Sequence, residues 1–286
     1  MPLKDILVHL DDSVRCLARL EVAAGLAAQH GAHLTGLFVV DLPPAETFYG
    51  FPSDYVDPNR AGDFIKRVRE RVGAAAGRLQ AAFGERCRRD GIEAEWRLIE
   101  GVTAEVVPLH GRYADMLVLG QPDRSDPATG WRTADLPTTT LIGCGRPVLM
   151  VPFAGDFASV GQNVLIGWNA SAEAARAVND ALPILAGARK VTVLSINQRR
   201  GIGGVGDVPA ADIALHLARH GIKAEAAHRV ATDISEGDAL LSYAADIGAD
   251  LLVIGLYGHS RMHEMVFGGV TRSLLAEMTV PVLMAH

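Results

Sequence analysis

Residues 251–286 read LLVIGLYGHSRMHEMVFGGVTRSLLAEMTVPVLMAH. The stretch opens with a short, branched, fully apolar run, Leu251 to Gly255, of the kind that forms a strand buried on both faces. It then passes through Gly255, Gly258, Gly268 and Gly269 into an amphipathic run and ends in a second strand-like segment, Val280 to Ala285. A strand that ends in glycines and hands over to a helix is the usual way an α/β protein presents backbone N–H groups to a phosphate. Glycine lets the backbone approach an anion, and the helix start supplies free donors and a partial positive charge.

Working outward, the same strand–helix alternation fills the chain. Ile6 to Leu10 reads as a buried strand, with Asp11-Asp12-Ser13 as a helix cap and a helix from Val14 to His30 that stops at Gly31. His33 to Asp41 is a second strand, Leu42 to Asn59 a long loop, and about Gly62 to Asp90 a polar helix. Strands follow at Ile92 to Ile99, Ala114 to Gly120 and Pro147 to Pro152, with short helices at Ala104 to Tyr113 and Leu136 to Gly143. After Gln162 the order begins again. Asn163 to Ser171 matches Asp5 to Ser13, and Lys190 to Asn197 matches Leu34 to Asp41. Ala249 to Gly255 matches Ala114 to Gly120, and Pro281-Val-Leu-Met matches Pro147-Val-Leu-Met. Four matched blocks in one order indicate duplication, with domains expected at 1–153 and 162–286. Each half is expected to be a doubly wound parallel sheet with helices on both faces, binding ligands at the strand carboxyl ends.

Both halves resemble universal stress protein domains, and the whole resembles a tandem of two. The resemblance implies five parallel strands per domain in the order 3-2-1-4-5. It also implies antiparallel pairing of the two final strands, so that the halves form an intrachain pseudo-dimer. The family's nucleotide signature is glycine, two residues, glycine, nine residues, glycine and then Ser, Thr or Asn. Gly255, Gly258 and Gly268 keep that spacing, and Gly269 departs from it by lacking the hydroxyl.

The resemblance implies an adenine nucleotide in the second half: ATP, or AMP or ADP, with Mg²⁺ as a candidate companion. Backbone near Gly268, Gly269 and Val270 would cradle phosphates, while Gly255 and Gly258 would admit ribose and phosphate. Asn169, where the family commonly has Asp, would meet the adenine edge or simply cap a helix, and Ile196 would pack on the base. Thr271 would stand at the phosphate end, His259 and Arg261 would line that end or simply be exposed, and Asp233 would face the ribose hydroxyls or, more commonly for such a residue, be a surface carboxylate. The first half keeps Asp11 and Gly120, but Asp123 replaces the second glycine and Ala134-Asp135 the last pair, so it reads as a degenerate site.

Other chemistry is scarce. His259 and His263 share helical spacing without the HExxH order, so no metal site is expected. There is no Walker lysine, nucleophile elbow or CxxC, so at most slow ATP hydrolysis is expected, with Thr271 or Ser273 as acceptor if the protein phosphorylates itself. The net charge of −6 and pI near 5.9 argue against nucleic acid as partner. No apolar run approaches the roughly 18–20 residues of a membrane span. Three scattered cysteines, Cys16, Cys87 and Cys144, read as reduced thiols and a cytoplasmic location. A regulatory protein with an unknown protein partner is expected, against the alternatives of a nucleotide-independent scaffold or a weak ATPase. Phe48, Tyr49, Phe51 and Tyr55 make the 42–59 loop a candidate surface for pairing two tandem chains.

Overall fold

The structure is a computed structural model, and it describes residues 2–42, 58–123, 135–197, 210–256 and 269–286. The aromatic residues of the first long loop therefore lie outside the described residues, as does the glycine-rich segment 257–268.

The first half contributes β1 (Asp5–Leu10), α1 (Cys16–His30), β2 (His33–Val40), α2 (Pro58–Asp90) and β3 (Ala94–Glu100). It continues with α3 (Thr103–Gly111), β4 (Met116–Gly120), α4 (Leu136–Gly143) and β5 (Val148–Val151). The second half contributes β6 (Asn163–Gly167), α5 (Ala172–Leu185), β7 (Lys190–Ile196), α6 (Ala211–Arg219) and β8 (Ala224–Arg229). α7 (Glu236–Asp246), β9 (Leu251–Gly255), α8 (Gly269–Glu277) and β10 (Val282–Ala285) complete it.

The ten strands form one sheet in the order β3-β2-β1-β4-β5-β10-β9-β6-β7-β8. Within each half every pairing is parallel, and the order is 3-2-1-4-5 followed by its mirror image. The two halves meet where β5 and β10 pair antiparallel, Leu149 opposite Leu283, with Val148 opposite Met284 and Met150 opposite Val282. The identical Val-Leu-Met segments thus pair about an approximate two-fold axis, and the halves form an intrachain pseudo-dimer.

The apolar strand runs are explained by burial on both faces. In β1, Ile6, Val8 and Leu10 enter one core with α1 and α2, while Leu7 enters the other. In β9, Leu251 and Val253 share the first core and Leu252 and Ile254 the second. This period of two is what a strand sandwiched between helix layers requires. Both cores run across the seam: Leu149 and Leu283 lie in one, Val148, Met150, Val282 and Met284 in the other.

Two local expectations are corrected. Helix α2 begins at Pro58 rather than Gly62. Proline suits a first turn, because its φ is already helical and its missing N–H has no partner there anyway. The Asp11-Asp12-Ser13 segment does not cap α1; the residue at that position is Arg15, without a side-chain cap bond. Asp11 is drawn instead into an ion pair described below. The matching turn in the second half does cap, since the Ser171 hydroxyl accepts the Ala174 N–H at 3.1 Å. At the other end of α1, Gly31 takes the left-handed conformation expected of it, with φ of 59°.

Candidate functional site

The carboxyl ends of β6, β7 and β9 open into a cleft of about 270 Å³. Leu194, Ile196, Leu240 and Ile254 make its apolar walls, and Asn169, Asn197, Glu236 and Thr271 supply its polar groups. Of the residues expected from the sequence, Asn169, Ile196, Gly255 and Thr271 are brought together here. Gly269 and Val270 form the start of α8, and Thr271 is only 2% exposed. Gly258, His259, Arg261 and Gly268 lie outside the described residues.

The Asn169 Oδ1 accepts the Ser171 N–H at 3.1 Å, which fixes the orientation of the amide. Its NH₂ is thereby left as the group to offer a ligand. Asn169 is not the helix cap; Ser171 is.

Gly255 has a packing role that the spacing did not disclose. A Cβ there would lie 2.2 Å from the Ala174 nitrogen and the Glu173 carbonyl carbon, so the first turn of α5 rests directly on it. The missing side chain therefore faces α5, whatever the loop beyond it does.

The sequence reading missed Asn197 and Glu236. Asn197 adopts a left-handed φ of 56° at the end of β7. Its Oδ1 accepts the Ala231 N–H at 2.9 Å and its Nδ2 donates to Glu236 Oε1 at 3.2 Å, tying β7 to the first turn of α7. An asparagine directly after a strand is a residue that tolerates this conformation, and that was the available signal. Asp233, the carboxylate expected near a ribose, is exposed and does not line the cleft; Glu236 does. Ser273, a candidate acceptor, donates its hydroxyl to Asp238 Oδ1 at 3.2 Å.

The equivalent place in the first half is filled from within. Arg19, 4% exposed, binds Asp11 at 2.7 Å and lies where a Gly120 Cβ would come within 2.6 Å of its guanidinium. The Ser13 N–H at 3.1 Å and the Ser13 hydroxyl also donate to Asp11. Only about 40 Å³ remains open beside them. By the repeat, Arg19 corresponds to Ala177, which explains why the second cleft is open. Asp11 thus commits its carboxylate to an internal partner.

Burial alone would push the Asp11 carboxyl up; Arg19, His9 and Ser13 together hold it well below the usual carboxylate range. A depressed carboxylate stabilises the fold above its unfolded pKa of about 4 and loses that contribution as pH falls further. Asp11→Asn is therefore expected to be less stable than the parent at pH 7, with the gap narrowing steadily below about pH 4. Urea midpoints measured against pH check this, and a gap independent of pH would count against the pairing.

Among the described residues no group of three or more His, Cys, Asp or Glu side chains is arranged to hold a metal ion. No helix among them is long and apolar enough to cross a membrane. The three cysteines are buried and free.

This geometry meets its relatives at two levels. Residues 161–286, which carry the open cleft, match the family model described as Universal stress protein family. The structure of a universal stress protein from Archaeoglobus fulgidus DSM 4304 superposes over 98% of this chain and 97% of its own, with a TM-score of 0.69 at 17% identity. The chain is a tandem of two universal-stress-protein-like domains. A universal stress protein from Synechocystis is 39% identical to this tandem chain over 46 residues, which is 16% of each protein. The chain thus matches only about a sixth of that curated relative's length. A universal stress protein solved in complex with cAMP aligns with 53% of the tandem chain and 98% of itself, at 18% identity and a TM-score of 0.37; the cAMP belongs to that protein.

Proposed function

We propose that the second-half cleft binds an adenine nucleotide and that occupancy, rather than turnover, is the output of the protein. The observation that carries this reading is the open cleft itself, set at the carboxyl ends of β6, β7 and β9 where α/β sheets bind ligands. Ile196 and Leu240 give a flat base two apolar faces, and the Asn169 NH₂ is a donor for a ring nitrogen. Glu236 and Asn197 stand beside Ile196 as polar partners for ribose hydroxyls. The start of α8, with the buried Thr271, faces the cleft and offers N–H donors and a partial positive charge to phosphate. Gly269 brings no hydroxyl, so the choice among ATP, ADP and AMP falls to backbone donors and Thr271. Mg²⁺ enters this proposal only as a companion of the phosphates. The buried free thiols suit a reducing, cytoplasmic setting. A nucleotide that favours one arrangement of the site would alter the surface shown to a protein partner.

Calorimetric titration with ATP, ADP and AMP, together with mass spectrometry of small molecules released from the purified protein, tests the reading. One site per chain is expected. Absence of binding up to about millimolar concentration, an affinity of roughly 4 kcal/mol, with no co-purified nucleotide, would sink it.

A second reading is favoured by one specific contact. Because α5 alone requires glycine at position 255, that part of the signature is also accounted for by packing in a nucleotide-independent scaffold. Partner binding unchanged by saturating ATP would select it.

A further inference from the structure

One polar side chain crosses from the half whose cleft is filled to the helix that borders the open one. Gln121 follows directly after β4 and is 7% exposed. Its backbone N–H donates to Val151 O at 2.8 Å, as that of its repeat equivalent Leu256 donates to Ala285 O at the same distance. The two positions are thus the same place in the two folds, and their side chains differ in kind. Leu256 is buried in an apolar core. The Gln121 amide reaches instead into the second half, where Nε2 donates to Leu275 O at 2.9 Å and to Ala276 O at 3.0 Å. Its Oε1 accepts the Phe153 N–H at 3.1 Å. Two carbonyls on one side and an N–H on the other allow only one orientation of the amide.

Those two carbonyls belong to the last turn of α8, where a helix has no internal donors left to satisfy them. The other end of the same nine-residue helix carries Thr271 into the cleft wall. A helix this short is a rigid rod of about 13 Å, so a change in tilt at its carboxyl end moves its amino end. The remaining polar tie among the described residues, Ser273 to Asp238, stays within the second half. Gln121 ties the helix to the first half.

We propose that Gln121 is a positioning residue for the second-half cleft: from the first half it holds the carboxyl end of α8, and so sets where the amino end stands for a phosphate. This rests on the reading that the cleft takes an adenine nucleotide. The eroded half then has a task, as the fixed support of the working one. Ligand binding against α8 is also felt across the seam, at the Phe153 amide, because coupling between two sites runs both ways.

The test uses the full chain and its Gln121→Met variant, which keeps volume while removing both donors and the acceptor. Hydrogen exchange is read first, without nucleotide. Faster exchange in α8 and at the Phe153 amide, with β6 and β7 unchanged, is the expected result, and unaltered exchange in α8 overturns the proposal. ATP titration is read second. The variant is expected to bind about 5-fold more weakly or worse, at a temperature where both proteins are fully folded. Affinity equal to the parent's, in a parent that binds, overturns the proposal, because a merely structural role would lower stability and leave the dissociation constant alone. Failure of the parent to bind any adenine nucleotide overturns the functional reading, and exchange in α8 then decides whether Gln121 is the anchor. ATP is also expected to slow Phe153 exchange in the parent and to leave it fast in Gln121→Met.

Discussion

Arg19→Ala is expected to cost about 3–5 kcal/mol of stability. The reason is the state of what is left behind. Arg19 and Asp11 are both withdrawn from water, and Asp11 would keep its charge beside the Ser13 donors and His9 but without its guanidinium partner. Removing one member of a buried pair leaves an uncompensated charge, whereas removing both need not. The double variant Asp11→Leu/Arg19→Leu is therefore expected to recover most of the loss. Urea unfolding of the two single variants and the double, arranged as a cycle, measures the coupling directly. A loss under about 1 kcal/mol for Arg19→Ala would show that the pair behaves like a solvated surface bridge. The variant is not expected to gain a nucleotide in the first half. Asp123 still stands by that cleft and Asp135 still precedes α4, each bringing negative charge where phosphate would lie.

The second large effect is expected at Gly255. A methyl group there meets the backbone of Glu173 and Ala174 at 2.2 Å, and a helix backbone cannot rotate out of the way as a side chain can. The whole first turn of α5 must lift, with Asn169 and the Ser171 cap carried along. We expect Gly255→Ala to lose about 3 kcal/mol and to deform the cleft. Gly120→Ala is the matched control in the other half. The nearest atom to its Cβ is the Arg19 guanidinium nitrogen, the far end of a flexible side chain, so a loss of about 1 kcal/mol is expected. Equal losses at the two glycines would mean that α5 slides as readily as Arg19 swings. That outcome would remove the packing account of Gly255.

The strand–helix order was legible because the central strands are buried on both faces and read as short branched apolar runs, Ile-Leu-Val in β1 and Leu-Leu-Val-Ile in β9, whereas the edge strands β3 and β8 are largely exposed. The repeat was legible because strand ends and their turns recur as blocks. The plug in the first half was not read, though a signal was there. Arg19 lies on the same stripe of α1 as Cys16, Leu20, Ala23 and Ala27, all buried. A charge on an apolar stripe calls for a buried counter-charge, and Asp11, at the end of the adjoining strand, was a candidate for it. An Asp between a strand and a helix also reads as a helix cap, and that reading hides the ion pair. The Gln121 contact had no local trace: its partners are 154 and 155 residues away, and only the seam brings them together. Asn197 and Glu236 were missed for a similar reason, since their bond joins the end of one strand to the start of a helix beyond the next.

The seam between β5 and β10 also governs what the chain does when diluted. Either half released by proteolysis would bare a strand edge bearing Val-Leu-Met, and an exposed apolar edge recruits whatever complementary edge it meets. Since the two edges are the same three residues paired head to tail, a freed half would find its own copy as good a match as its former neighbour. Fusion into one polypeptide replaces that competition with an effective concentration fixed by the short connection between the halves. The correct pairing, one filled cleft beside one open one, is then favoured at any protein concentration in the cell. Two like halves never have to meet.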